Sequence, residues 1–131
     1  MTMKSYIRVF ALTLALVLMA GLMGTSLAES ADLLAAIRER GTLIIATEGD
    51  WAPWTYHDEE DKLVGLDVEI GTAIAEYIGV TPDFVETNWD AILAGVDSGR
   101  FDIACNGVGI TEKRQEKYFF SDPYVDSRKV L

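Results

Sequence analysis

The residues of this 131-residue chain best suited to chemistry lie in one segment, Cys105-Asn106-Gly107-Val108-Gly109-Ile110-Thr111-Glu112-Lys113-Arg114. Gly107 and Gly109 let a ligand approach the backbone closely. Thr111 is a helix-capping type, so free N–H groups and the positive end of a helix dipole would face outward. Arg114 falls on that first turn, where a guanidinium can grip a carboxylate through two parallel hydrogen bonds. Together these suit a small carboxylate. A capping box with Arg114 paired to Glu112 or Asp122 on the surface accounts for the same residues equally well. Gly-x-Gly alone is a weak signal and does not match the dinucleotide fingerprint.

Three tryptophans, Trp51, Trp54 and Trp89, fall where loops would meet this segment, and aromatic walls with few polar groups suit a small-molecule cleft. Trp89 shares a helical stripe with Ile92 and Leu93, so burial in the core is its competing reading. Trp51 sits in a loop, where core burial is less expected. Glu48 follows an apolar run directly and could meet an ammonium group, or be a solvated loop carboxylate. His57 is the single histidine and reads as an exposed loop residue. Asp58-Glu59-Glu60-Asp61 lacks the spaced ligands and glycine of a calcium loop and reads as a solvated turn. Cys105 ends an apolar run with no histidine nearby, which favours a buried, inert thiol. No Gly-x-Ser-x-Gly, P-loop or metal-ligand cluster is present.

These residues need elements to carry them. Leu33, Leu34 and Ile37 have helical spacing before Gly41. Thr42–Thr47 is a continuous apolar, β-branched run, as in a strand of a parallel sheet buried on both faces. Glu48–Trp54 reads as a loop, and Tyr56–Leu66 as two short extended pieces around the acidic turn. Asp67 is placed to cap a helix from Val68 to Ile78, with an apolar face of Val68, Ile70, Ala73, Ile74, Tyr77 and Ile78 and a stop at Gly79. Thr81–Glu86 is a second strand. Asn88 can cap a helix over Trp89–Asp97, stopped at Ser98-Gly99. Phe101–Cys105 is a third strand, and Thr111 opens a helical turn. Strand alternating with helix predicts an α/β fold, an open, mostly parallel sheet with flanking helices. Ligands on such sheets bind beyond the carboxyl ends of the strands. Here those ends are Glu48–Trp54, Asn88–Trp89 and Asn106–Arg114.

Composition narrows the function. The net charge is −10 and the pI near 4.4, which argues against a nucleic-acid partner. One cysteine excludes an internal disulfide. Residues 1–28 carry Lys4 and Arg8, no acid, an apolar run to Met23 and small residues at Ser26 and Ala28. That pattern is a secretory signal peptide, with an uncleaved anchor as the alternative. Its removal takes the net charge to −12 and leaves residues 29–131 in an oxidising, extracytoplasmic compartment.

The blocks Gly41–Thr47, Trp51-Ala52-Pro53-Trp54, Leu63–Glu69, Trp89–Leu93, Asn106–Arg114 and Phe120–Tyr124 occur in the order found in periplasmic amino-acid-binding proteins of ABC transporters, solute-binding family 3, which the sequence resembles. The resemblance implies lobe 1 of a periplasmic-binding-protein type II clamshell, with the second lobe lacking, since the family's domain is about twice this length. It implies binding of a polar amino acid, of cystine or glutamine type, for delivery to a membrane permease, by a periplasmic monomer without cofactor or catalysis. Arg114 would hold the ligand carboxylate, helped by the backbones of Gly107 and Gly109. Trp51 and Trp89 would sandwich the ligand, Glu48 would line the pocket, and Asn106 would lie at its edge. Gly109 stands where many members carry Ser or Thr. Arg128–Leu131 would lead into the second lobe, and one lobe alone would bind weakly or not at all. The other functions the resemblance offers are a dehydratase on the same scaffold and the sensing module of a membrane receptor.

Overall fold

The computed structural model describes residues 32–126; the expectations for residues 1–28 and Arg128–Leu131 lie outside them. The chain divides into two units, Met1–Glu39 and Arg40–Leu131. In the first, helix α1 spans Leu33–Arg40 across the boundary, and of its apolar positions only Ile37 is buried. Among the described residues no helix is long and apolar enough to cross a membrane.

The second unit is α/β, as its alternation predicts. Strand β1 (Thr42–Thr47) lies at the centre of a parallel three-stranded sheet, between β5 (Thr81–Glu86) and β6 (Ile103–Ala104). The register pairs Ile45 with Phe84 on one side and with Ile103 on the other. Central placement explains the unbroken apolar run, since Leu43, Ile45, Ala46 and Thr47 are all buried. The third strand is shorter than the five residues expected, although backbone bonds from Asp102 to Ile44 and from Cys105 to Ala46 extend its pairing.

The stretch between β1 and the next helix folds into a small antiparallel sheet: β2 (Asp50–Trp51), β3 (Thr55–His57) and β4 (Leu63–Val64). Glu48–Trp54 is therefore not all loop. The acidic turn is held by Asp58, whose Oδ1 accepts from the backbone N–H groups of Glu60 and Lys62, both at 2.9 Å.

Helix α2 spans Leu66–Ile78 and ends on Gly79 in the left-handed conformation, as expected. Its start is different. Gly65, not Asp67, is the cap, with φ +128°, and a Cβ there would lie 2.2 Å from the Trp54 carbonyl oxygen. Asp67 is inside the helix and fully buried. The buried stripe is Asp67, Gly71 and Ala75, while Tyr77 is 91% exposed. Of the expected apolar face, Val68, Ile70 and Ile78 are only half-buried, and the fully buried stripe is made of small residues that let the helix approach the sheet. A Cβ on Gly71 would already sit 3.0 Å from Ile45 and 3.1 Å from Phe84.

Helix α3 (Trp89–Asp97) matches its expected bounds, and Asn88 Oδ1 accepts from Ala91 N–H at 3.1 Å. Ile92, Ala46 and Phe101 form a buried cluster with Trp89, Leu93 and Val96 packed against it. Gly95 makes room for the Phe101 ring, which would overlap any Cβ. Helix α4 is one turn, Glu112–Gln115, capped by Thr111 through Arg114 N–H at 3.3 Å.

Candidate functional site

The carboxyl ends of β1, β5 and β6 share one edge of the sheet, because all three run parallel. Continuing the Ala46–Ala104 pairing two residues onward sets Glu48 opposite Asn106. There the Asn106 side chain is completely buried. Its Oδ1 accepts from Glu48 N–H at 2.9 Å and from the Thr47 and Thr55 hydroxyls, each at 3.1 Å. Its Nδ2 donates to Glu48 Oε2 at 2.7 Å. A flipped amide would oppose two donors at the Glu48 backbone and two acceptors at its carboxylate, so the orientation is determined. Asn106, expected at the rim of a pocket, instead ties β1, the small sheet and the end of β6 together, and aims Glu48.

Gly107 has φ +57°, the left-handed region, and a Cβ on it would lie 3.3–3.4 Å from the Trp54 indole. Both facts call for glycine. Its N–H, expected to face a ligand, donates to Asp67 Oδ2. Gly109 differs: its Cβ position meets only Arg114 Nη1, at 3.8 Å, and among the described residues its N–H has no protein acceptor.

Arg114 Nη1 donates to the Gly109 carbonyl at 2.8 Å, and the guanidinium lies over the Trp89 ring, 5.3 Å from its centroid. The ion pairs among the described residues are Arg40–Asp102, His57–Glu86 and Lys117–Asp97. Arg114 joins neither Glu112 nor Asp122. With α4 only one turn long, its dipole is small, and the guanidinium brings a full positive charge to this edge. Trp89 thus packs on the buried cluster and also meets Arg114 and Trp51. The Trp51 and Trp89 rings meet edge to face, with centroids 6.3 Å apart at 88°, and Trp51 is 42% exposed.

Three features were not expected from the sequence. Asp67 Oδ1 accepts from the Tyr124 hydroxyl at 2.7 Å, across 57 positions. The sign of it in the sequence was an acid on an i, i+4, i+8 stripe with Gly71 and Ala75. Thr47 and Thr55 are buried partners of Asn106. His57 is exposed, as expected, but lies in β3 and not in a loop, with Nδ1 3.2 Å from the Gly49 carbonyl and Nε2 3.3 Å from Glu86. Burial first, and the Asp67 charge second, push the Cys105 thiol up to about 12, consistent with an inert thiol. Burial, followed by the Asp67 bond and charge, also raises the Tyr124 phenol. Among the described residues no cluster of His, Cys, Asp and Glu could hold a metal. Two open grooves, about 550 Å³ beside Ile110, Phe119 and Phe120 and about 380 Å³ between β4 and α2, lie beside this cluster rather than in it.

The fold is that of one lobe of the solute-binding proteins. Residues 43–131 match the family of bacterial extracellular solute-binding proteins, family 3, and the chain belongs to that family. Among its relatives, the L-cystine-binding protein TcyA of Bacillus subtilis is 49% identical over 105 residues, 79% of this chain and 39% of that protein. Cyclohexadienyl dehydratase of Pseudomonas aeruginosa is 36% identical over 115 residues, 88% of this chain and 43% of the enzyme. Among solved structures, the L-cystine solute receptor of Neisseria gonorrhoeae, unliganded and open, superposes with a TM-score of 0.65 at 47% identity, covering 70% of this chain and 40% of the receptor. The arginine-bound form of domain 1 from TmArgBP gives 0.68 at 33% identity, covering 70% of this chain and 72% of that domain. The chain spans about two fifths of the length of the curated relatives it matches.

Proposed function

We propose that this chain supplies the first lobe of an extracytoplasmic receptor that captures a polar amino acid and delivers it to the membrane permease of an ABC transporter, after export directed by residues 1–28. The observation that carries the reading is Arg114 on the face of Trp89, at the sheet edge where Asn106 also presents the Glu48 carboxylate. A zwitterion matches that pair of opposite charges: its carboxylate on Arg114 and the Gly109 N–H, its ammonium on Glu48. A guanidinium has five N–H donors, and Gly109 occupies only part of that set. Trp51 and Trp89 already meet edge to face, so in place of a sandwich the exposed Trp51 ring offers one apolar wall to the aliphatic part of the ligand. The cystine-binding relatives favour an amino acid of that type. Domain 1 of TmArgBP in its arginine-bound form supports measurable binding by one lobe, in place of the expectation that a lone lobe binds weakly or not at all.

The reading is of capture without chemistry, with the ligand leaving unchanged. The dehydratase relative is the observation that favours a second reading, in which this edge holds a cyclic amino-acid precursor for loss of water. Calorimetry of the chain with L-cystine, L-glutamine and L-arginine tests the first. Arg114→Ala should weaken the bound ligand by about 2–5 kcal/mol, the cost of removing one partner of a buried charge pair, and Arg114→Lys should restore only part of it. Unchanged affinity in Arg114→Ala would overturn the assignment.

A further inference from the structure

We infer that Asp67 is a positioning residue for the ligand-facing loop 107–114, and that the Tyr124 hydroxyl completes its clamp. Asp67 is fully buried and belongs to helix α2, so its carboxylate reaches no ligand. A buried carboxylate is costly unless its oxygens are hydrogen-bonded, and here each has a specific donor. Oδ2 takes the Gly107 N–H and Oδ1 takes the Tyr124 O–H at 2.7 Å. The Asp67 N–H in turn donates to the Trp54 carbonyl at 3.0 Å, and the Trp54 ring lies against Gly107. Gly107 is therefore held from two sides, by a carboxylate on its N–H and an indole beside its Cα.

Two residues further on, the Gly109 carbonyl holds Arg114 Nη1. Movement of Gly107 is carried through Val108 to Gly109 and so to the guanidinium. Tyr124 belongs to the segment after α4 and links that segment to the same carboxylate. The inference rests on the reading that Arg114 takes the ligand carboxylate.

Three variants of the full chain test it: Asp67→Ala, Asp67→Asn and Tyr124→Phe. Asparagine retains a carbonyl to accept from Gly107 and an amide to donate to the Tyr124 oxygen, so it keeps both links without the charge. The readouts are amide hydrogen exchange at Gly107 relative to Ile45 in the central strand, and the dissociation constants for L-cystine and L-arginine. A purely structural loss accelerates both amides alike, whereas a lost clamp accelerates Gly107 alone. Asp67→Ala should speed Gly107 exchange selectively and weaken binding by about tenfold, the worth of one to two hydrogen bonds. Asp67→Asn should stay near wild type, and Tyr124→Phe should fall between. Folded Asp67→Ala with unchanged exchange ratio and affinity would overturn the inference. If that variant does not fold, an unchanged Gly107 exchange ratio in Tyr124→Phe does so. A wild-type chain that binds neither amino acid counts against the proposed function, while the exchange ratio still decides the clamp.

Discussion

Replacing Gly107 by alanine adds one methyl group where the backbone is left-handed and the Trp54 indole leaves little room for it. The backbone there has φ +57°, a left-handed conformation that costs a side-chain-bearing residue about 1–2 kcal/mol. The new Cβ would also stand 3.3 Å from Cγ of Trp54, tighter than nine in ten real contacts, and 3.4 Å from Cδ1 and Cδ2, at the edge of ordinary contact. Trp54 gives way with difficulty, because its carbonyl accepts from Asp67 N–H and it closes the turn back to Trp51. Crowding of this kind adds about 1 kcal/mol, so the total is about 2–3 kcal/mol. Gly109→Ala is the internal control: its φ is not positive, and its Cβ meets nothing nearer than 3.8 Å. Its cost should stay within about 0.5 kcal/mol. Urea unfolding followed by tryptophan fluorescence reads both. With a slope of about 1–3 kcal/mol/M, Gly107→Ala should lower the midpoint by about 1–2 M and Gly109→Ala by a few tenths at most. Coincident midpoints for the two variants would refute the claim that Gly107 is required by conformation and by Trp54.

Gly109→Ser extends that control into function: a hydroxyl beside Arg114 should tighten amino-acid binding by about two- to tenfold, the net worth of one hydrogen bond, and calorimetry showing weaker binding would count against it. Cys105 makes stability fall at alkaline pH. Its thiol rises from 9.0 to about 12 on folding, so the folded chain binds this proton more tightly than the unfolded one. The resulting stability is complete below pH 9 and is lost as pH climbs toward 12, by at most about 1.4 kcal/mol per pH unit. Cys105→Ala should flatten the decline of the urea midpoint between pH ~8 and ~10.5, and parallel declines would refute the assignment.

Much of this architecture is written in local patterns. The β-branched run at Thr42–Thr47, the Asn88 cap, the Gly79 stop and the Thr111 turn all appear where the sequence puts them, because each depends on neighbours within a turn or a strand. The order of strands and helices was enough to predict a parallel sheet and to gather Glu48, Trp89 and Arg114 at one edge. Helix α2 shows where that reasoning stops. Its hydrophobic spacing is real, yet the face that packs is Asp67–Gly71–Ala75, since close approach to the sheet rewards small residues more than large apolar ones. Which polar groups meet was likewise beyond local pattern. Asn106 finds Thr47, Glu48 and Thr55 across 51 to 59 positions, and Asp67 finds Gly107 and Tyr124 across 40 and 57. Burial makes an unpaired amide or carboxylate costly, so these partners are chosen by three-dimensional packing, which no sequence spacing records. Residue types and order were enough to name the candidate residues at the sheet edge; the buried bonds that Asn106 makes to Thr47, Glu48 and Thr55, and Asp67 to Gly107 and Tyr124, exist only once the chain is packed, because each joins groups 40 to 59 positions apart.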